Sequence, residues 1–249
     1  MARPATTTSR SAASSPASPP DLAVEAVVFD LFGTLLAVPT PGERTRAASR
    51  LAALAGCGTA AIDRYLRDTW HIRHDGTLPT LADLARHLAH TVEAPPLAIK
   101  PVADELRALG QARLIPALSV INALKSLRSK GVRLGVLSDA SAEIAAVWPE
   151  SPLAGLVDAA VFSCVAGAVK PDQRLYEHIR DELGVPAHRT LYVGDGGGDE
   201  LQGALAAGMT AVAVRCRGPA DALTFGLTNW PGPRLEAAEN VPAYLVERG

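Results

Sequence analysis

From residue 110 onward the chain alternates short apolar runs with longer stretches in which apolar residues return every three or four positions. Leu118, Ile121, Leu124 and Leu127 recur at spacing three, and Gly131 sits where a helix ends on glycine. Residues 132–137 then read as a buried strand, and residues 159–162 as a shorter one. Leu175, Ile179 and Leu183 form a helical stripe that stops at Gly184, with Pro186 just beyond. Residues 191–193 predict a strand, 199–207 a helix ending at Gly208, and 211–214 another strand. Upstream, Val27-Val28-Phe29 is a further apolar run, cut off abruptly by Asp30. Strands alternating with helices indicate βαβ units and a parallel sheet. Right-handed crossovers put every C-terminal strand end on one edge, where open α/β sheets bind ligands.

Residues 41–109 break the rhythm. Helical patterns over residues 43–54, 60–73, 80–91 and 99–109 follow one another without clear strands between them. They predict a small all-α unit inserted after the first strand, placed as a lid over that sheet edge. The expected organisation is a core of residues 23–40 and 110–249, a helical cap of residues 41–109, and a leader of residues 1–22. The leader is almost entirely Ala, Ser, Thr and Pro, a composition that buries too little apolar surface to order itself, and it has no apolar stretch suited to a secretory signal. Residues 218–232 are rich in Pro and Gly and read as a long loop, with a last short helix within 235–245.

Composition narrows the function. A net charge of -2 and a pI near 6.3 leave no basic footprint for nucleic acid or an anionic membrane. No apolar stretch approaches the roughly 18 residues of a membrane span. Cys57, Cys164 and Cys216 are odd in number and widely spaced, which argues against a disulfide framework or zinc site and suits a reducing cytoplasm.

Four polar segments fall at predicted strand ends. They are Asp30-Leu31-Phe32-Gly33-Thr34, Ser138-Asp139, Lys170-Pro171, and Gly194-Asp195 followed by Asp199. Asp30 is placed to act as a carboxylate nucleophile, with Lys170 as a fixed cation and Ser138 and Thr34 as hydroxyl donors. Asp195 and Asp199 are an acidic pair suited to Mg2+, and the glycines 194 and 196–198 let the backbone pass close to an ion. Each has a plainer explanation alone. Lys170 reads equally as an exposed loop lysine, Ser138 as a turn former, and Asp199 as the N-cap of its own helix.

In this order, with a helical insertion after the first, the four segments resemble those of the haloacid dehalogenase superfamily, helical-cap branch, over about residues 24–245. The resemblance implies an α/β fold, a doubly wound Rossmann-like parallel sheet with an inserted small all-α cap. It also implies a hydrolase in which Asp30 forms an aspartyl phosphate on Mg2+, acting on a small phosphorylated metabolite. Metal ligands would then be Asp30, the Phe32 carbonyl, Asp195 and Asp199, and the substrate would meet Gly33, Ser138, Asp139 and Lys170.

The chain departs from that pattern at Phe32. Phosphatases of this family carry there a second aspartate that protonates the leaving group, a contribution of about 10²–10⁴-fold that a phenyl ring cannot make. Three readings follow. The first is a Mg2+-dependent phosphatase that acts on good leaving groups or borrows a proton donor from the lid (Asp75, His71 or His74). The second is a 2-haloacid dehalogenase-like enzyme, a class that is aromatic at this position but needs no metal and lacks the acidic pair. The third is an inactive binding protein. The pairs His71/His74 and His87/His90 have no neighbouring Cys or carboxylate in a ligand pattern, so they read as solvated helix faces. Trp70, Trp148 and Trp230 read as packing residues.

Overall fold

The computed structural model describes residues 24–218 and 230–247. The expected leader and most of the expected 218–232 loop lie outside the described residues. Six parallel strands form one sheet: β1 (Ala26–Phe29), β2 (Arg133–Ser138), β3 (Ala159–Phe162), β4 (Thr190–Gly194), β5 (Thr210–Val214) and β6 (Arg234–Leu235). Their spatial order is β3-β2-β1-β4-β5-β6, so the chain builds outward from β1 in one direction and then, from β4, in the other. The helices are α1 (Pro41–Ala55), α2 (Thr59–Asp68), α3 (Trp70–His74), α4 (Leu81–Thr91), α5 (Ile99–Arg113), α6 (Leu118–Ser129), α7 (Ala142–Val147), α8 (Ser163–Ala166), α9 (Gln173–Leu183), α10 (Glu200–Ala206) and α11 (Val241–Val246).

Strand side chains alternate between two cores, as a period of two requires. Val27, Phe29, Leu134, Val136, Leu191, Val193, Val212 and Val214 face α6, α7 and α11. Ala26, Val28, Leu137, Val161, Tyr192, Ala211 and Ala213 face α9 and α10. Both faces are therefore apolar, which is why β1, β4 and β5 read as unbroken apolar runs. Burying each Leu, Val or Ile contributes about 1.5–3 kcal/mol relative to exposure. Helices α1, α2, α4 and α5 enclose a third cluster around Leu51, Ile62, Leu84, Leu88 and Val102, to which Ala142 of α7 is the core's contribution. Gly110 brings α5 against α7, since a side-chain carbon there would fall 2.5 Å from the Glu143 carbonyl. Gly76, in the turn before α4, rests on Gly167 after α8, where an added carbon would fall 2.6 Å from the Gly167 Cα.

The α/β class and the predicted strands are observed, and Gly184 ends α9 in the left-handed conformation (φ 65°). Four details differ. In α6 the buried residues are Val120, Leu124 and Leu127, while Leu118 is 71% exposed. A run of i+3 steps slips about 60° per step around a 3.6-residue helix, so Leu118 and Leu127 lie on opposite sides. The helix expected over 60–73 is broken at Thr69, whose hydroxyl donates to the Tyr65 carbonyl (2.6 Å). Alpha helix α5 runs on to Arg113, past the expected boundary at 109. In the tail, residues 234–235 pair with β5, and α11 begins only at Val241.

Gly135 in β2 tests this packing, because a Cβ there would come within 3.0–3.2 Å of Leu183 and Ile179. Gly135→Val is expected to lower stability by about 1–3 kcal/mol through overpacking. Urea unfolding measures it, and an unchanged midpoint would show that α9 yields freely.

Candidate active site

Sheet order reverses between β1 and β4, and at such a switch point the loops following the two strands diverge and leave a crevice. Asp30 follows β1 and Asp195 follows β4, so two adjacent strands deliver two carboxylates to one place. Asp30 is buried, its N–H donating to the Val193 carbonyl (2.8 Å). Beyond it the chain turns tightly, with the Leu35 and Leu36 N–H groups both donating to the Leu31 carbonyl. Gly33 sits in this turn at φ 94°, and a side-chain carbon there would collide with the Asp195 carboxylate. Only glycine lets Asp195 approach the loop so closely.

Lys170 is buried and reaches this edge from the loop before α9. Its ammonium donates to Asp30 Oδ1 (2.7 Å), to Glu200 Oε2 (2.5 Å) and to the Tyr192 hydroxyl (3.3 Å), which matches its three N–H donors to three acceptors. The Tyr192 hydroxyl in turn donates to Glu200 Oε2 (2.8 Å), and the Gly196 N–H to Glu200 Oε1 (2.9 Å). Asp139 accepts the Lys170 backbone N–H (3.0 Å) and so ties the end of β2 to the lysine loop. Ser138 and Thr34 are buried at the ends of β2 and of the β1 turn.

Asp30, Asp195 and Glu200 offer carboxylate oxygens within 4.8 Å of one another. Three carboxylates against one ammonium leave a formal surplus of two negative charges in a buried space. The Asp30 carboxyl is raised to about 8: burial is the largest cause, Lys170 opposes it, and Glu200 and Asp195 add to the rise. Burial likewise raises Glu200 and Asp139. For Lys170 burial acts downward but loses to the carboxylates of Asp30 and Glu200, so the ammonium is held well above its usual range. Asp30 Oδ2 and Thr34 Oγ1 are buried without a hydrogen-bond partner among the described residues. An unsatisfied carboxylate oxygen beside a surplus of two charges fits a hard divalent cation, which takes oxygen ligands.

The structure thus brings together Asp30, Gly33, Thr34, Ser138, Asp139, Lys170 and Asp195. Asp199, expected to reach the ion directly or through water, is exposed and lies outside the three-carboxylate group, and Glu200 occupies the buried position beside it. Asp199 precedes α10 at the N-cap position in a left-handed conformation (φ 54°), and its side chain makes no capping hydrogen bond. Glu200, Tyr192 and Cys216 were not singled out from the sequence. Tyr192 was hidden inside an apolar run, and Glu200 behind the more obvious Asp199. Burial and a hydrogen bond to Asp195 push the Cys216 thiol up to about 12, so it is present as a protonated donor.

The expected lid proton donors Asp75, His71 and His74 each have a partner within the helical unit. His71 is exposed and pairs with Asp75, whose carboxylate also accepts the Thr77 N–H. His74 is buried, with Nδ1 2.6 Å from the Trp70 carbonyl, and burial together with Arg73 pulls it down to about 4. Phe32 instead lies under a guanidinium, the Cζ of Arg113 standing 4.1 Å from its ring centroid.

Lys170→Met is expected to destabilise the protein by roughly 3–5 kcal/mol at neutral pH, because Asp30 and Glu200 lose their buried counter-charge. Both carboxyls have raised folded-state pKa values, so ionising them costs the fold progressively more as pH rises from about 4 toward 8. The loss should therefore shrink as pH falls to 5. Urea unfolding at pH 5 and pH 8 checks this, and equal losses would show that the carboxyls do not depend on Lys170.

Comparison with known proteins agrees with this geometry. Phosphatase MT3486 of Mycobacterium tuberculosis (strain CDC 1551 / Oshkosh) is 37% identical over 94 residues, 37% of this chain and 43% of that protein, so the match spans less than half of its length. Two solved structures are similar at 19% identity: a HAD phosphatase from Thermococcus onnurineus (TM-score 0.61, 89% of this chain and 97% of that one) and an L-2-haloacid dehalogenase from Xanthobacter autotrophicus (TM-score 0.58, 90% and 98%). A HAD family enzyme from Bacteroides thetaiotaomicron, solved as a magnesium complex, is 12% identical (TM-score 0.62, 78% of this chain and 94% of that one). At these identities the solved structures establish the fold alone. The family model for haloacid dehalogenase-like hydrolases matches residues 24–208, from before β1 to beyond α10, and the chain belongs to that family.

Proposed function

We propose that the protein is a Mg2+-dependent phosphatase of small phosphorylated molecules, with Asp30 as nucleophile and helices α1 to α5 as a cap over the site. The observation that carries this reading is the buried, unpartnered Asp30 Oδ2 beside Asp195, in a site whose formal charge calls for a divalent cation. Asp30, Asp195 and the Phe32 carbonyl would hold Mg2+, which supplies charge neutralisation for the phosphoryl group. Glu200 is excluded from that set because both its oxygens are committed, one to Lys170 and Tyr192 and the other to the Gly196 N–H.

An oxygen of the Asp30 carboxylate attacks phosphorus as the ester P–O bond breaks, and the leaving oxygen departs with the electron pair. Lys170 stabilises the charge on the transferring group, while Glu200 and Tyr192 keep the ammonium aimed at it. Water then attacks phosphorus, the bond from phosphorus to Asp30 oxygen breaks, and the carboxylate and inorganic phosphate are regenerated. With Phe32 in the acid's position, the leaving group departs without an in-line proton. Among the described residues no helix is long and apolar enough to cross a membrane.

A dehalogenase reading draws support from the aromatic residue at position 32. It leaves Asp195 and the surplus charge without a purpose, so it ranks second. An inactive binding protein would have no use for a nucleophile held at hydrogen-bond distance from a buried lysine.

Asp30→Asn is expected to keep the fold and abolish Mg2+-dependent phosphate release from phenyl phosphate. Activity within a few-fold of the parent would overturn the assignment. Mg2+ should raise the parent's melting temperature, and Asp195→Asn should remove most of that rise. Aryl and acyl phosphates should turn over far faster than alkyl phosphates, and Phe32→Asp should narrow the gap by up to about 10²–10⁴-fold. Halide release from a 2-haloacid in the presence of a chelator, with no phosphate from any ester, would favour the second reading.

A further inference from the structure

Ten arginines of the described chain pair with a carboxylate, and Arg73 and Arg234 donate to hydroxyl or carbonyl oxygens. Arg46, Arg64 and Arg67 make no such contact and are exposed. Arg44 and Arg113 also make none, yet both are withdrawn from solvent. A half-buried guanidinium has lost part of its hydration and ordinarily finds an acceptor. These two do not, although Arg44, Arg73 and Arg113 lie near enough to repel one another.

The nearby acids do not fill the gap. Glu43 is held by the Thr40 backbone and hydroxyl at the start of α1. Glu143 is buried at the start of α7 and accepts from Ser141 (2.7 Å), and its second oxygen has no partner, so it does not pair with Arg113. His74, which also faces this space, is neutral. Three cations against two acids leave a net positive charge. Its leading member, Arg113, stands over the ring of Phe32, two residues beyond Asp30. The ring contact leaves the guanidinium without a hydrogen-bond acceptor among the described residues, so its N–H groups remain available for bidentate recognition of a carboxylate.

We propose that Arg113, assisted by Arg44, binds a second anionic group of the substrate, so that the enzyme acts on small phosphorylated carboxylic acids. This rests on the phosphatase reading for the phosphoryl end of the site. Phe32, which cannot serve as a proton donor, serves here as the platform that sets the angle of Arg113.

The test is binding, which does not require turnover. Phosphonoacetate and methylphosphonate, both resistant to hydrolysis, are titrated by calorimetry into the Mg2+-loaded protein. A charge-assisted, two-pronged contact is expected to favour phosphonoacetate by roughly 10–100-fold. Arg113→Met should reduce that preference to below about threefold, and Arg113→Lys, which keeps the charge but not the fork, should leave an intermediate value. Arg44→Met, measured in parallel, should lower the preference too and serves if the Arg113 variants fold poorly. Equal affinities in the parent, or a preference undiminished in the folded variants, would overturn the proposal, as would failure of both phosphonates to bind. Phosphate release from phenyl phosphate is measured on the parent alongside. Release with equal phosphonate affinities removes the anion subsite and leaves the phosphatase. A strong preference that depends on Arg113, without release from any ester, upholds the subsite and removes the phosphatase.

Discussion

One ammonium group organises this site. Lys170 Nζ bonds to Asp30 beyond β1, to Tyr192 within β4 and to Glu200 at the start of α10, while its own backbone is held by Asp139 beyond β2. Four segments far apart in sequence are thereby fastened to one point. The interaction is strong because the groups are withdrawn from water, and it is demanding for the same reason, since a buried charge without its partner is costly. The same ammonium fixes the geometry at the sheet edge and offsets part of the negative charge gathered around Asp30.

Much of the core was legible because its signals are local. Apolar runs marked the strands, glycines such as Gly184 marked helix ends, and a carboxylate after an apolar run marked Asp30. Less visible were features set by distant partners. Glu200 and Asp199 are adjacent and both acidic, and only the start of α10 decides which one turns inward. Tyr192 reads as one more strand residue until its hydroxyl is seen to meet Lys170. Residues 234–235 have too little pattern to predict a strand, and what makes them one is the edge of β5. Arg113 stood outside the expected cap by only a few residues, and nothing in its neighbours pointed to Phe32.

The substitution at position 32 is therefore more than a loss. A phenyl ring in place of a carboxylate removes a proton carrier, but it adds an apolar face on which a guanidinium can lie without being neutralised. On the phosphatase reading, the want of an in-line acid and the guanidinium resting on a ring are, in this chain, two results of one residue.

The helical layer touches the sheet layer in two unlike ways. At α5 and α7 Gly110 brings one backbone onto the other, with Ala142 of α7 entering the helical cluster. Beside α3 and α8 it is Gly76 against Gly167, main chain on main chain. A side chain at position 76 would therefore push the two layers apart at Gly167, and one at position 110 would strike the Glu143 carbonyl, so the spacing of the layers is set by two positions that admit no side-chain carbon.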